Sequence, residues 1–231
     1  MSTSGVYKKR YRAYTFGSFF NYGSTTFDKL IDIFKRDLKK EPGLLKGRIS
    51  PEQTATAETG PIVVKSYMRG GLISLITRRK FLKTGTIRSK REFDFLVRAG
   101  QTGVNVPSPV AYAYTSRGLF FYEAWLITKE IPGHLSFVDI CRHQQEKAAQ
   151  LMPEISKTIS TLVDNRIYHV DLHPGNILID GNNRHYIVDF DKARYFPDKG
   201  KLIAKYRKRW IRSVHKYDLP GFLENLQLTG G

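Results

Sequence analysis

The chain has 231 residues, 41% of them hydrophobic and 13% aromatic, enough to bury the core of one large domain or of two small lobes and too apolar for a disordered chain. Its single cysteine, Cys141, excludes an intramolecular disulfide and a cysteine-based metal cluster. A net charge of +17, from 38 Lys and Arg against 21 Asp and Glu, favours anionic partners: nucleic acid, phosphorylated substrates or an acidic membrane surface.

Residues 1–24 are aromatic and basic, with little periodicity and no apolar run, so no secretory signal is expected. No later stretch approaches the roughly 18 apolar residues that span a bilayer, and a cytosol-facing protein is expected. Thr25 and Asp28 resemble a helix start. Phe27, Leu30, Ile31, Phe34 and Leu38 follow at helical spacing, with Lys35, Arg36, Lys39 and Lys40 on other faces. Such a basic amphipathic helix either packs on its domain or lies on a membrane, and the sequence leaves both open. Glu41-Pro42-Gly43 ends it.

Leu44 to Lys65 reads as strands around turns. Ile62-Val63-Val64-Lys65 is a β-branched strand that ends in Lys, where a kinase lysine meets the α- and β-phosphates of ATP. Glu92, the first acid after it, lies in the helical run Arg88 to Arg98, which predicts a Lys65–Glu92 ion pair. No G-x-G-x-x-G loop precedes Lys65, so another backbone arrangement must cover the phosphates. Ala111–Tyr114 and Leu119–Thr128 flank the turn Ser116-Arg117-Gly118 as a hairpin. Lys129-Glu130-Ile131-Pro132-Gly133 reads as a hinge between a β-rich first lobe, residues 1–130, and a helical second lobe, residues 131–231, with backbone groups near Glu130 placed to bind adenine. Ser136 to Asn165 is helical, Pro153 starting or kinking a second helix.

The most informative stretch follows. His169-Val170-Asp171-Leu172-His173-Pro174-Gly175-Asn176 leads into Ile177-Leu178-Ile179, the turn Asp180-Gly181-Asn182-Asn183, a second apolar run Tyr186-Ile187-Val188, and then Asp189-Phe190-Asp191. An Asp that reaches a substrate hydroxyl can orient it and accept its proton. An Asn five residues later and an Asp thirteen residues after that can hold Mg²⁺ on nucleotide phosphates. The hairpin would bring Asn176 and Asp189 to neighbouring ends. A hairpin with incidental polar flanks explains the turn, but not three such side chains at one end. Two basic blocks flank the motif: nine basic residues and no acid from Lys65 to Arg91, ten basic residues and two acids from Asp191 to Lys216. After Asp191 there is a basic helical tail, Leu202 to Lys216, and no A-P-E motif, which argues for a small, non-protein acceptor.

From Pro61 to Lys216 the chain resembles the lipopolysaccharide kinases of Gram-negative bacteria. The resemblance rests on Val63-Val64-Lys65 followed by Arg69-Gly70-Gly71-Leu72, on Arg91-Glu92-Phe93 and on Val106-Pro107-Ser108-Pro109. It continues in Ile167-Tyr168-His169-Val170-Asp171-Leu172, in Val188-Asp189-Phe190-Asp191-Lys192-Ala193-Arg194 and in Arg209-Trp210-Ile211-Arg212-Ser213. It implies an α+β, protein-kinase-like bilobal fold with a β-rich N-lobe and a reduced helical C-lobe. It also implies ATP and Mg²⁺ as cofactors, and transfer of a phosphoryl group to the 4-hydroxyl of 3-deoxy-D-manno-octulosonic acid (Kdo) in Kdo-lipid IVA. The roles it carries over are Asp171 as catalytic base, Asn176 and Asp189 as metal ligands, and Lys65, Glu92 and Glu130 in ATP binding. His169 would orient the loop, while Asp191 and Arg69 would meet substrate or metal. The implied partners are a Kdo-lipid A precursor and an anionic membrane surface, at the cytoplasmic face of the inner membrane, with no nucleic acid. The loop Asp171 to Asn176 also resembles that of aminoglycoside phosphotransferases. The competing readings are a heptose or other small-molecule sugar kinase, and a non-catalytic basic pseudokinase that binds membrane or nucleic acid.

Overall fold

The aromatic, basic start of the chain, aperiodic in sequence, forms a hairpin: β1 (Tyr7–Tyr11) pairs antiparallel with β2 (Tyr14–Ser18). Its turn uses Arg12 at φ 51° rather than a Gly or Asn, so the usual hairpin signal is missing. The computed structural model describes residues 5–39, 52–67 and 80–229. Glu41-Pro42-Gly43, Arg69 and the run Arg69-Gly70-Gly71-Leu72 lie outside the described residues.

Helix α1 (Ser24–Lys39) follows. Its first turn is closed by Glu58, whose carboxylate accepts from the Gly23 N–H at 3.1 Å and from the Thr26 hydroxyl. A carboxylate there complements the helix dipole. Asp28, expected in that place, instead pairs with Arg12 at 2.8 Å and accepts from the Tyr11 hydroxyl at 3.1 Å. Phe27, Leu30, Ile31 and Phe34 are buried in one core with Tyr14, Phe16 and Trp125; Phe34 stacks on Trp125 at 4.4 Å. The apolar face of α1 is thus inside this core, which answers the sequence's open choice in favour of packing.

The remaining strands of this sheet are β3 (Glu52–Thr56), β4 (Gly60–Ser66), β5 (Phe81–Leu82), β6 (Pro109–Arg117) and β7 (Phe121–Lys129). The order is β1-β2-β6-β7-β4-β3, with β5 also paired to β7, and every pairing is antiparallel. Gly17 faces Tyr112 across β2 and β6, and a Cβ on Gly17 would lie 2.2 Å from the Tyr112 ring. Only Gly leaves that ring its place.

Helix α2 (Arg88–Gln101) carries the buried residues Ser89, Glu92 and Phe93 in its first half. The second compact unit begins within this helix: it comprises Phe95–Pro107 and Ile131–Gly231, and the first comprises Met1–Asp94 and Ser108–Glu130. The chain passes from the first unit to the second between Glu130 and Ile131. Residues 95–107, placed with the first lobe from sequence, group with the second unit, where Ile187 N–H donates to Asn105 O at 3.0 Å.

In the second unit, β8 (Leu135–Ser136) leads to α3 (Phe137–His143), capped by Ser136, whose hydroxyl accepts from Asp139 N–H at 3.1 Å. Helix α4 (Gln145–Asp164) buries Ala148, Met152, Ile155, Ile159, Leu162 and Val163. Pro153 lies inside α4, and the break between helices is at Gln144 instead (φ −144°, ψ 62°). Then come β9 (Ile167–Tyr168), a 3₁₀ turn (Pro174–Asn176), β10 (Ile177–Ile179), β11 (His185–Ile187), β12 (Arg194–Tyr195) and α5 (Lys199–Lys216). Strands β11-β10-β8 form one small antiparallel sheet, and β12-β9 another.

Candidate active site

The first unit builds one cationic centre. Strand β4 presents Lys65, whose ammonium lies 2.8 Å and 2.9 Å from the two carboxylate oxygens of Glu92 on α2. The Tyr67 hydroxyl donates to the same carboxylate, and the Lys65 ammonium sits over the Tyr67 ring at 5.3 Å. The Glu92 side chain is 2% exposed and that of Lys65 is 28% exposed. A buried carboxylate needs such partners to stay charged. The lysine is thereby anchored near the end of strand β4, its side chain partly exposed. Sequence reasoning did not find Tyr67, which reads there as an ordinary core aromatic. At the hinge, Glu130 N–H donates to Pro61 O at 3.3 Å. That donor belongs to the sheet, so adenine recognition at Glu130 would fall to its carbonyl.

The second unit gathers the linked motif around one hairpin. Ile177 pairs with Ile187, and Val188 N–H donates to Asn176 O at 3.0 Å, which brings Asn176 to the start of the Asp189-Phe190-Asp191 turn. The far end of the hairpin is fixed by Asp180. One of its oxygens accepts from Asn182 and Arg184 N–H, both at 2.9 Å, and Asn183 takes φ 61°. At the active end, Asn176 Nδ2 donates to Asp171 O at 2.9 Å, so its Oδ1 is the acceptor that remains. Asp189 adopts φ 66°, an uncommon backbone for a residue with a Cβ and one that recurs at functional turns. Phe190 and Asp191 are buried, and Ala193 N–H closes the turn on Phe190 O at 2.9 Å.

His169 ties these pieces together. It is 1% exposed; its Nε2 lies 2.9 Å from Val188 O, and its ring meets Phe190 edge-on at 4.6 Å. Burial holds its pKa below the ordinary imidazole value, with the Val188 carbonyl and the nearby Asp189 and Asp171 acting the other way. The ring is therefore neutral, its proton is on Nε2 facing the carbonyl, and the buried Nδ1 has no hydrogen-bond partner. A buried neutral ring held in this way suits orienting the loop rather than carrying a proton to substrate. Its backbone N–H donates to the Tyr206 hydroxyl at 2.9 Å, and that hydroxyl donates to Ile167 O at 2.7 Å.

Asp171 is accessible, its side chain 26% exposed, and both oxygens are engaged: Lys192 Nζ at 2.9 Å on one and Arg209 Nη2 at 3.2 Å on the other. Burial alone would raise its pKa, but the Lys192 hydrogen bond and charge together with the Arg209 charge outweigh it, and the carboxyl titrates below its ordinary value. Both cations lie in motif runs quoted from the sequence, but neither was given a role there, because each sits in a block where basic residues are common.

Asn176 Oδ1 and the Asp189 carboxylate are hard oxygen donors of the kind that hold Mg²⁺, an ion that completes its shell with water and phosphate oxygens. Among the described residues no three His, Cys, Asp or Glu side chains come together to form an all-protein metal site. Two such donors suit an ion that completes its shell on a nucleotide. The chemistry available is that of phosphoryl transfer: a carboxylate to orient a hydroxyl, two oxygen donors for a divalent ion, and a separately anchored lysine for phosphate.

Comparison with known proteins agrees with that chemistry. Residues 46–219 match the family described as lipopolysaccharide kinase (Kdo/WaaP) family. A 3-deoxy-D-manno-octulosonic acid kinase of Vibrio vulnificus (strain CMCP6) is 32% identical over 167 residues, covering 67% of this chain and 69% of its own length. That of Vibrio cholerae is 34% identical over 132 residues, covering 56% of this chain and 55% of its own length. That of Vibrio parahaemolyticus is 33% identical over 163 residues, covering 69% of this chain and 66% of its own length. A solved structure described as WaaP in complex with acyl carrier protein superposes with a TM-score of 0.54 at 14% identity, covering 86% of this chain and 82% of that one. At that identity the likeness speaks for the fold, α+β and kinase-like. The chain belongs to the lipopolysaccharide kinase (Kdo/WaaP) family, and with it to the ATP-dependent phosphotransferases.

Proposed function

We propose that this protein transfers the γ-phosphoryl group of ATP to the 4-hydroxyl of Kdo in Kdo-lipid IVA, a step of lipopolysaccharide inner-core assembly. The observation that carries this reading is the accessible Asp171 carboxylate, joined through Asn176 to the turn that bears Asp189. The relatives named Kdo kinases support the choice of acceptor. In this reading Asp171 orients the acceptor hydroxyl and takes its proton as the new O–P bond forms and the bond to ADP breaks. A carboxylate of low basicity suffices, because the transition state is loose and the proton moves late. Lys65, held by Glu92 and Tyr67, binds the α- and β-phosphates. Asn176 and Asp189 hold Mg²⁺, which when bound neutralises charge on the transferring phosphates. His169 holds the loop in register with the Asp189 turn, and Asp191, buried beneath it, keeps that turn's shape.

The place of action in this reading is the cytoplasmic face of the inner membrane, as a peripheral protein. Its support is the +17 charge and a lipid acceptor. Each Lys or Arg near an anionic surface contributes about 1 kcal/mol. Among the described residues no helix is long and apolar enough to cross a membrane.

The test is incubation of the purified protein with ATP, Mg²⁺ and Kdo-lipid IVA, followed by mass spectrometry of the lipid. A gain of one phosphate is expected, reduced by about a hundredfold or more in Asp171→Ala, the scale of losing a positioned base. Phosphorylation of a heptosylated core with none on Kdo-lipid IVA would overturn the choice of acceptor. Nucleotide binding without turnover on any sugar would overturn the catalytic role of Asp171.

A further inference from the structure

Arg209 is under-used where it stands. Of the five N–H donors on its guanidinium, one is hydrogen-bonded, the Nη2 group at 3.2 Å from Asp171 Oδ1. Its Nε is buried and has no hydrogen-bond partner. An arginine that existed to fix Asp171 would engage the carboxylate with two parallel bonds, the geometry that the fork favours. Asp171 does not depend on it either, because Lys192 holds the other oxygen at 2.9 Å. Two cations on one carboxylate leave a surplus positive charge beside the hydroxyl-binding position. The Arg209 side chain is 26% exposed, so a solute can reach it.

Its base, in contrast, is fixed. Helix α5 buries Leu202, Tyr206, Trp210 and Val214, one residue per turn. Tyr206 is bonded to both ends of the strand leading into the catalytic loop, and Trp210 Nε1 donates to Leu223 O at 2.7 Å. Arg209 lies three residues beyond Tyr206, on the same side of the helix, which sets its Cα against the catalytic loop. Only its side chain has freedom to change partner.

We infer that Arg209 is the binding site for the carboxylate of an acidic sugar acceptor, and that Asp171 is its occupant only until that acceptor arrives. The acceptor's carboxylate takes the two-pronged bond that Asp171 leaves incomplete, and the same exchange frees one Asp171 oxygen for the acceptor hydroxyl. Selection of an acidic over a neutral sugar then follows from the site itself, since a neutral sugar offers nothing to draw Arg209 away. This rests on the proposed sugar-kinase reading and specifies its substrate class. The planar fork suits a carboxylate; a phosphate oxygen of ATP is the other anion that could claim it.

The experiment compares two acceptors, Kdo-lipid IVA and the same lipid with the Kdo carboxylate reduced to a hydroxymethyl group, in the wild-type protein and in Arg209→Gln and Arg209→Lys. Wild-type turnover of Kdo-lipid IVA is read first, and its absence would sink the function reading before any variant is made. Given turnover, the wild type should show an acceptor KM about ten- to a hundredfold higher on the reduced lipid, the range for losing a charge-assisted hydrogen-bond pair. Arg209→Gln should lose the same factor on Kdo-lipid IVA and almost nothing further on the reduced lipid, with ATP affinity unchanged. Arg209→Lys should recover part of the loss. Equal turnover of both lipids by the wild type would overturn the inference without recourse to a variant. Equal losses of Arg209→Gln on both lipids would reduce Arg209 to a support for Asp171. A fall in ATP affinity in its place would assign the anion to the nucleotide.

Discussion

At the scale of single residues, a charge's meaning depends on what it is left with when its partner goes. Glu92 is buried and shares its two oxygens between Lys65 and Tyr67. Lys65→Met would take from that buried carboxylate the cation that lies 2.8 Å and 2.9 Å from its oxygens. A fully buried pair loses about 3–5 kcal/mol this way, and the partial exposure of Lys65 reduces the figure to about 2 kcal/mol. A chain of this size should then melt about 4–8 °C lower. The double variant Lys65→Met with Glu92→Leu should recover most of that stability and none of the phosphoryl transfer. Thermal melts and turnover measured side by side separate the two roles, and a double variant as unstable as the single one would contradict the argument. Lys65 and Glu92 were readable because a strand ending in Lys and the next acid in sequence form a linked pattern. Tyr67, Lys192 and Arg209 were not. A hydroxyl on a core aromatic leaves no trace in a pattern of apolar positions, and one arginine of a basic helix looks like its neighbours until its contact across 38 residues is seen.

At the scale of elements, the legible parts were those whose signal is local. The β10–β11 hairpin carries its turn in Asp180 to Asn183, and α1 carries its face at helical spacing. The β1–β2 hairpin was missed because Arg12 turns it without a turn residue, and its pairing is completed by β6 from about a hundred residues away, as in Thr115 Oγ1 to Ala13 O at 2.8 Å. Of the two readings of Pro153, a helix start is the one that fails, because the helix runs through it. The least legible dependence is that of the catalytic loop on α5. Burial raises the Tyr206 phenol far above its ordinary pKa, so it stays a neutral hydroxyl that both donates and accepts. Tyr206→Phe would leave His169 N–H and Ile167 O without their partner at a cost of about 1–3 kcal/mol each. We expect a lower melting temperature together with a fall in kcat and little change in ATP affinity, because the loop loosens while the Lys65 centre is untouched. A variant with full kcat and only the lower melting temperature would show that α5 supports the fold without positioning the loop.

At the scale of the molecule, composition made an anionic partner legible but not its place of contact. The apolar face of α1 is enclosed in the first unit, so the membrane contact proposed above would have to use another surface. Among the described residues of that unit the strongest exposed apolar group is at the β6–β7 turn, where Leu119 is 83% and Phe120 69% exposed, beside Leu82 on the paired strand β5 at 46%. Lys83 lies against the same turn, its ammonium donating to Gly118 O at 3.1 Å; Lys80 is exposed nearby, and Arg117 flanks the turn with Glu123 as its partner. Apolar side chains at a tip with lysines behind them suit the boundary between lipid headgroups and acyl chains, where the apolar part enters and the cations stay among anionic headgroups. On a chain of net charge +17 that complementarity favours a bilayer over a second copy of the same basic surface. We therefore expect binding to phosphatidylglycerol vesicles that weakens with salt, and about a tenfold or greater loss in Leu119→Ser with Phe120→Ser. Turnover of Kdo-lipid IVA dispersed in detergent should remain at the wild-type level, since neither residue belongs to the site. Unchanged vesicle affinity in that variant would remove the tip from the membrane, and a wild-type dimer in lipid-free solution that the variant abolishes would give the tip to self-association instead.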